Sequence, residues 1–281
     1  MIQYLELLRK VMENGEPRND RTKVGTRALF AESLKFDLSE GFPLLTTKKL
    51  PIKSIVGELL WMLTGDDNLD FLHEHGIKFW DSWADSDGNV GPVYGSQWRR
   101  WRQYKEATIT HDDGGTLDVY QVSEVDQILN VISSIKTRPA GRRHIVSAWN
   151  VSDIDDMALP PCPLMFQFFV HNDGRLSMSL TQRSADLMLG VPFDIAVYSL
   201  LVHMVAAQTG LEPGTLTINF GDVHVYDNHV EQARQQLLRV PQTKLARLEL
   251  KPAASIDDYT FDHVVVHDYI ALPHIKCKVA V

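Results

Sequence analysis

The stretch from Phe193 to Gly210, FDIAVYSLLVHMVAAQTG, reads as one long helix that is apolar almost all round. A helix of that kind belongs inside a protein, with other elements packed over it. RLSMSLTQRSA before it and Thr215 to Val225 after it read as strands. One carboxylate, Asp194, interrupts the apolar run LGVPFDIAVY. Burying a charge is costly unless it finds a partner. The partner of Asp194 is therefore the question this sequence poses first.

Other segments fill in the fold class. IQYLELLRKVMENG has helical spacing and ends on glycine. PIKSIVGELLWMLTGDDNLDFLHEHG reads as two helices with a turn at Gly65-Asp66. FWDSWADSDGNVGPVYGSQWRRW, rich in Trp, Gly and Asp, reads as loop. Residues 102–122 read as a surface hairpin around Asp113-Gly114-Gly115. SEVDQILNVISSIKT reads as a helix capped by Ser123, and DNHVEQARQQLLR as a late helix. HIVSAWNV, LMFQFFVH, KLARLELKP and DHVVVHDYI read as strands. Helices and strands in no regular alternation point to an α/β (α+β) fold. No repeat or linker divides residues 1–281, which read as a single domain.

Composition narrows the function. A net charge of -8 argues against a protein that grips a nucleic-acid backbone. Any phosphate it binds is then on a small molecule, held by a local arginine cluster. Two cysteines, Cys162 and Cys277, suggest no disulfide framework. The N-terminus lacks the pattern of a signal peptide, and no apolar run is expected to reach membrane-spanning length. These features point to an enzyme of a reducing, cytoplasmic compartment.

Cys162 stands between prolines in ALPPCPLMF, so a stiff loop aims its thiol. A free cysteine is either a small buried hydrophobe or a nucleophile. TQRSAD brings Arg183 and Ser184 to a strand edge. A guanidinium beside Cys162 favours the thiolate, and the same cluster suits a phosphate. Arg142-Arg143 and Arg21 are either solvated surface or phosphate ligands.

These motifs fall in an order that resembles the thymidylate synthase family along nearly the whole chain. The matching segments are NDRT (19–22), GFPLLTTKK (41–49), ELLWML (58–63), WDSWAD (80–85), GPVYGSQWR (91–99), RRHIVSAWN (142–150), the PPC of Cys162, QRSAD (182–186), LGVPF (189–193) and GDVHVYDNH (221–229). The resemblance implies a large twisted mixed sheet flanked by helices, with the sheet at a homodimer interface. It implies a deoxypyrimidine monophosphate substrate, 5,10-methylenetetrahydrofolate as cofactor, and no metal. It makes Cys162 the nucleophile for C6 of the base, Glu58 a proton carrier and Tyr94 a participant in removing the C5 proton. Arg21, Gln182, Arg183 and Ser184 become substrate ligands of one subunit, with Arg142 and Arg143 reaching in from the other. His224 and Tyr226 become contacts to the sugar 3′-hydroxyl. Trp80, Leu159, Asp186 and Val281 become the folate-facing wall and lid. Residues 102–122 fall where the family tolerates insertions.

The chain departs from that family at Asp194, where thymidylate synthases carry asparagine. An amide suits uracil, accepting from N3–H and donating to O4. A carboxylate accepts from the N4 amino group of cytosine, and a shared proton satisfies N3. A site built for one pattern rejects the other by roughly 10⁴-fold. Pro163, where the family commonly has histidine, agrees with a changed reading of the 4-position. The expectation is one-carbon transfer to C5 of dCMP, with methylation favoured over hydroxymethylation. Such a product would supply a modified DNA base, in bacterial or phage-infected cytoplasm. The alternatives are a dCMP hydroxymethylase of the same superfamily, a thymidylate synthase that tolerates aspartate, and a binding protein that keeps the scaffold without the catalysis.

Overall fold

A computed structural model describes residues 1–19, 22–111 and 115–279. In chain order it contains α1 (Ile2–Asn14), β1 (Glu16–Arg18), β2 (Thr26–Asp37), α2 (Ile52–Thr64), α3 (Asp70–Glu74), α4 (Tyr94–Arg99), β3 (Trp101–Thr110) and β4 (Thr116–Val125). There follow α5 (Gln127–Thr137), β5 (Ile145–Ser147), β6 (Pro163–Val170), β7 (Arg175–Asp186), α6 (Gly190–Thr209), β8 (Glu212–Tyr226), α7 (Val230–Leu237), β9 (Arg247–Leu250) and β10 (Val264–His267).

The apolar helix is α6, and it is the crossover of a β7–α6–β8 unit. β7 and β8 lie parallel, as a strand–helix–strand connection requires. They sit at the middle of a six-stranded mixed sheet in the order β1-β2-β8-β7-β6-β5, whose other pairs are antiparallel. Leu176, Met178, Leu180 and Gln182 alternate along β7 and are all buried. The period of two puts them on one face. Helices cover the core from that sheet: α6 packs on β7, β8 and α2, and α1 packs on β2 and β8. Gly210, in the left-handed region at φ 71°, ends α6 and sends its N–H back to Ala206 and Ala207. By length and composition α6 is long and apolar enough to cross a membrane, contrary to the expectation that no run reaches that length. Most of it is buried inside the protein, where strands and α2 give its apolar sides a home.

Two further boundaries differ from expectation. The Trp/Gly-rich segment read as loop contains α4. Helix α5 is capped by Asp126, whose side chain accepts from the Leu129 N–H at 2.8 Å. Ser123 lies three residues earlier, in β4. The hairpin is present as the β3–β4 ribbon, paired from Trp101↔Val125 to Thr110↔Thr116. Its tip at Asp113-Gly114 lies outside the described residues.

Candidate active site

Cys162 leaves the Pro160-Pro161 segment just before β6, so two prolines fix the approach of the chain. Its N–H donates to the Tyr94 hydroxyl at 3.0 Å, and its carbonyl accepts from the Arg183 N–H at 2.8 Å. The Arg183 guanidinium, on β7, donates to the carbonyls of Pro161 and Pro160 at 2.9 and 2.7 Å. It also lies over the Trp149 ring, and its Nη2 is 3.9 Å from the Cys162 sulfur. Arg183 is thus the clamp of the thiol loop.

Burial pushes the Cys162 thiol above its ordinary value, while Arg183 and Tyr94 pull it down and Asp194 and Asp186 add to the rise. Burial wins. The guanidinium does favour the thiolate, as the sequence led us to expect, but desolvation of the sulfur outweighs it.

Tyr94 opens α4, which lies against α2. Gly95 permits that contact: a Cβ there would stand 2.3 Å from the Met62 carbonyl oxygen. Tyr94 is buried, and burial first, then Cys162, hold its phenol well above its ordinary value. It is a neutral hydroxyl that accepts from Cys162 and keeps its own O–H to donate.

Glu58 lies on the buried run of α2 and accepts from Trp80 Nε1–H at 2.9 Å. Burial, then the charge of Asp194, pushes Glu58 up to about 8, against the pull of Trp80. Trp80 itself is 4% exposed, packed among Trp61, Trp83 and Tyr94. Its place beneath Glu58 is a positioning one, which the expected folate-wall role did not include.

Asp194 sits in the first turns of α6, above the buried face of β7. Gln182 Nε2 donates to its Oδ2 at 2.7 Å and to the Ser184 carbonyl at 3.1 Å. So the partner that the buried carboxylate called for is a protein side chain, Gln182. Oδ1 accepts no hydrogen bond among the described residues. Burial pushes Asp194 up to about 7, with Gln182 opposing and Asp186 reinforcing. Two buried carboxylic groups, Glu58 and Asp194, therefore titrate near neutrality and feel each other. The Gln182 Oε1 is buried without a hydrogen bond among the described residues.

The far end of the β7–β8 pair carries the other expected ligands. Asp186 pairs with His224 in register, and Ser184 with Asp222. His224 Nδ1 donates to Asp222 at 2.8 Å, a bond that holds Asp222 below the usual carboxylate range and leaves Nε2 as the remaining ring nitrogen. Tyr226 packs edge-on against His224 at 5.0 Å. Asp186 accepts from the Met188 N–H at 2.8 Å. Leu159 is half-buried against the core. Arg142 and Arg143 are exposed ahead of the edge strand β5 and make no ion pair among the described residues. Arg21 and Val281 lie outside the described residues.

Sequence reasoning missed three neighbours. Asp222 orients His224; their i, i+2 spacing on a strand was the available signal. Lys48 is 2% exposed and donates to the Met188 carbonyl; burial lowers its ordinary pKa. In TTKK it reads as surface, and only the tertiary contact buries it. His229 is buried and binds the Lys278 carbonyl at 2.7 Å, tying the C-terminal segment to this end of the sheet.

A stiffly held thiol, a clamping arginine and two buried carboxylic groups on a mixed sheet are the equipment of a group-transfer enzyme with a small-molecule substrate. The thymidylate synthase family model matches residues 2–281, and the chain belongs to that family. Its members are nucleotide-binding homodimers that transfer a one-carbon unit from methylenetetrahydrofolate to C5 of a pyrimidine nucleotide.

Proposed function

We propose that this protein transfers the one-carbon unit to dCMP and forms 5-methyl-dCMP. The observation that carries the reading is Asp194: a buried carboxyl pushed up to about 7, gripped at one oxygen by Gln182, with the other free among the described residues. A cytosine ring offers its N4 amino group to one carboxyl oxygen and its N3 to a proton. Cytosine N3 is basic enough to share that proton with the carboxylate, whereas uracil O4 is not. The shared proton is thus held between two bases when cytosine is present.

Cys162 adds to C6 of the ring, and C5 becomes the carbon that attacks. Arg183 keeps the thiol loop rigid and stabilises the thiolate as it forms. Glu58, pushed up to about 8, is protonated at neutral pH and donates through the base side of the site. Tyr94 keeps a neutral hydroxyl for the C5 proton. Following the resemblance, we assign the phosphate to Arg21, Ser184 and Arg183, with Arg142 and Arg143 given by a second copy. That assignment suits the exposure of both arginines and of Phe169, 60% exposed on β6 beside buried Phe168. His224 and Tyr226 hold the sugar.

We assign the folate to the Phe79–Phe193 pair, 5.7 Å apart and next in sequence to Trp80 and Asp194, with Leu159 and Asp186 as the further wall residues that the resemblance implies. When bound, it supplies the one-carbon unit and, for a methyl product, the hydride. The buried Trp80 and the C-terminal segment tied down by His229, which leads to Val281, favour a site closed to water and hence the methyl product. The whole chain acts as one catalytic domain, with the β3–β4 ribbon as a surface insertion.

One observation favours a second reading. Gln182 already gives one oxygen of Asp194 a partner, which suits a thymidylate synthase that tolerates aspartate and acts on dUMP. Mass spectrometry of products from equal dUMP, dCMP and CMP with methylenetetrahydrofolate separates the two. A gain of CH₂ on dCMP is the expected result. A gain of CH₂O on dCMP replaces methylation by hydroxymethylation, and a gain on dUMP alone overturns the cytosine reading.

A further inference from the structure

The β3–β4 ribbon is a sheet of two strands, separate from the six-stranded one. It pairs without a bulge from Trp101↔Val125 to Thr110↔Thr116. Each edge of such a ribbon presents a row of backbone N–H and C=O groups to whatever strand comes alongside. Among the described residues, no backbone hydrogen bond joins β3 to anything beyond the ribbon. Protein edges are usually blunted by short length, proline, a bulge or a lysine. β3 is ten residues long and has no proline, so Lys105 is the one such device on it. Most of its side chains are exposed, and Tyr104 is 60% exposed.

The order of charges along β3 indicates which strand suits that edge. Two copies of one strand related by a two-fold axis run antiparallel, and each residue meets one that points to the same face. With Tyr104 on the axis, Arg102 of each copy faces Glu106 of the other, Gln103 faces Lys105, and the two Tyr104 rings meet. Opposite charges and aromatic pairs set directly across a sheet are stabilising, and like charges are destabilising. Moving the axis one residue on sets Lys105 against Lys105, and two residues on sets Glu106 against Glu106. One residue back, with Gln103 on the axis, pairs no opposite charges.

The other edge lacks this property. Asp118 and Glu124 are the only charged residues of β4, so no register of that strand with itself pairs opposite signs. Arg102 faces Glu124 within its own ribbon. Across a β3–β3 contact it would therefore lie between two carboxylates. A lone two-stranded ribbon is marginal, and the contact makes two of them one four-stranded sheet. Tyr104, Tyr120 and Val122 of both copies then share a face.

We propose that the outer edge of β3 is a self-association surface, taken by the β3 strand of a second copy of this chain, antiparallel about a two-fold axis through Tyr104. Members of the family are already homodimers, so the contact joins dimers to one another. Only residues 101–107 of the two strands face each other, so the contact is weak, with half-association on the order of 10 µM.

Sedimentation velocity of the full-length protein from about 1 to about 100 µM tests this. Dimers at the low end and larger species built from whole dimers at the high end are expected. Tyr104→Lys places like charges on the axis and should weaken association about tenfold. Tyr120→Lys, on the same face and 69% exposed but on β4, should leave it unchanged. Directly opposite Cα atoms stand roughly 4.5 to 5.5 Å apart, within disulfide reach. Mild oxidation of Tyr104→Cys should therefore give a band of twice the chain mass on a non-reducing gel, and Tyr120→Cys should not. A protein that stays dimeric to about 100 µM overturns the proposal. So does an association that Tyr104→Lys leaves unchanged, or a Tyr104→Cys protein that oxidation does not cross-link. Because these readouts are mass and cross-linking rather than turnover, the proposal stands or falls apart from the dCMP assignment.

Discussion

Cys162 is fixed through its backbone, by the Tyr94 hydroxyl on one side and the Arg183 N–H on the other, with the Arg183 side chain bound to the two preceding carbonyls. Glu58 and Asp194 each rest on a single side-chain N–H, from Trp80 and from Gln182. The thiol corner therefore keeps its shape whatever its protonation. The carboxylate corner is held lightly, and its two acids titrate near neutrality. One side of the site supplies a fixed position and the other supplies adjustable protons. Nucleophilic addition needs the first and reading a base needs the second.

The contrast breaks most sharply at the sulfur. Cys162→Ser should lower turnover by roughly 10⁴-fold or more with the fold intact, as steady-state rates and a melting curve will show. At the carboxylate corner, Asp194→Asn should move preference from dCMP towards dUMP by roughly 10² to 10⁴-fold, measured as the ratio of kcat/KM in competition. No shift there would mean that Asp194 does not read the base.

The same variant tests the electrostatics. The folded-state value of Asp194, about 7, lies above its ordinary 3.8, so the folded protein holds a proton that the unfolded chain releases. That contribution is full at pH below 3.8 and is lost as pH rises through 7. Asparagine carries no such dependence. Relative to wild type, Asp194→Asn should gain on the order of 4 kcal/mol between pH 4 and pH 9 in urea unfolding. Trp80→Phe removes the donor that holds Glu58 down. It should lower kcat about tenfold and move the Glu58 limb of the pH–rate profile upward by up to about one unit. The smallest effect belongs outside the site: Tyr120→Ser on the exposed face of the β3–β4 ribbon should change stability by less than about 0.5 kcal/mol. A larger loss would show that the ribbon is packed against something in solution.

Much of this was legible in the sequence. The apolar run read as a buried helix, and α6 is one. Glycine at 65 and 210 marked helix ends that the structure keeps in the left-handed region. The prolines around Cys162 announced a stiff loop. Other features had no local signal. Helix α4 is six residues long in a segment of Trp, Gly and Asp, and it forms because Gly95 lets it press on α2. Asp126 took the cap expected of Ser123 because β4 runs on through that serine. The partner of Asp194 came from a strand twelve positions earlier, where the buried alternation of β7 carries Gln182 inward. Arg183 suggested a phosphate ligand by type, and nothing in spacing announced that it also holds the carbonyls of the proline loop. Contacts between distant segments decide these points, and spacing alone does not carry them.

The pairing of β2 with β8 has a consequence for synthesis. Leu34 meets Ile218 in register, so the first long strand finds its partner only after nearly two hundred further residues have been made. At ribosomal rates of about 5–20 residues per second, that wait is on the order of ten to forty seconds. Throughout it, Leu34 and Phe36, both 3% exposed in the finished protein, have no sheet to cover them. The nascent chain therefore spends most of its synthesis with an uncovered apolar strand, and the middle of the sheet is among the last parts of the molecule to close.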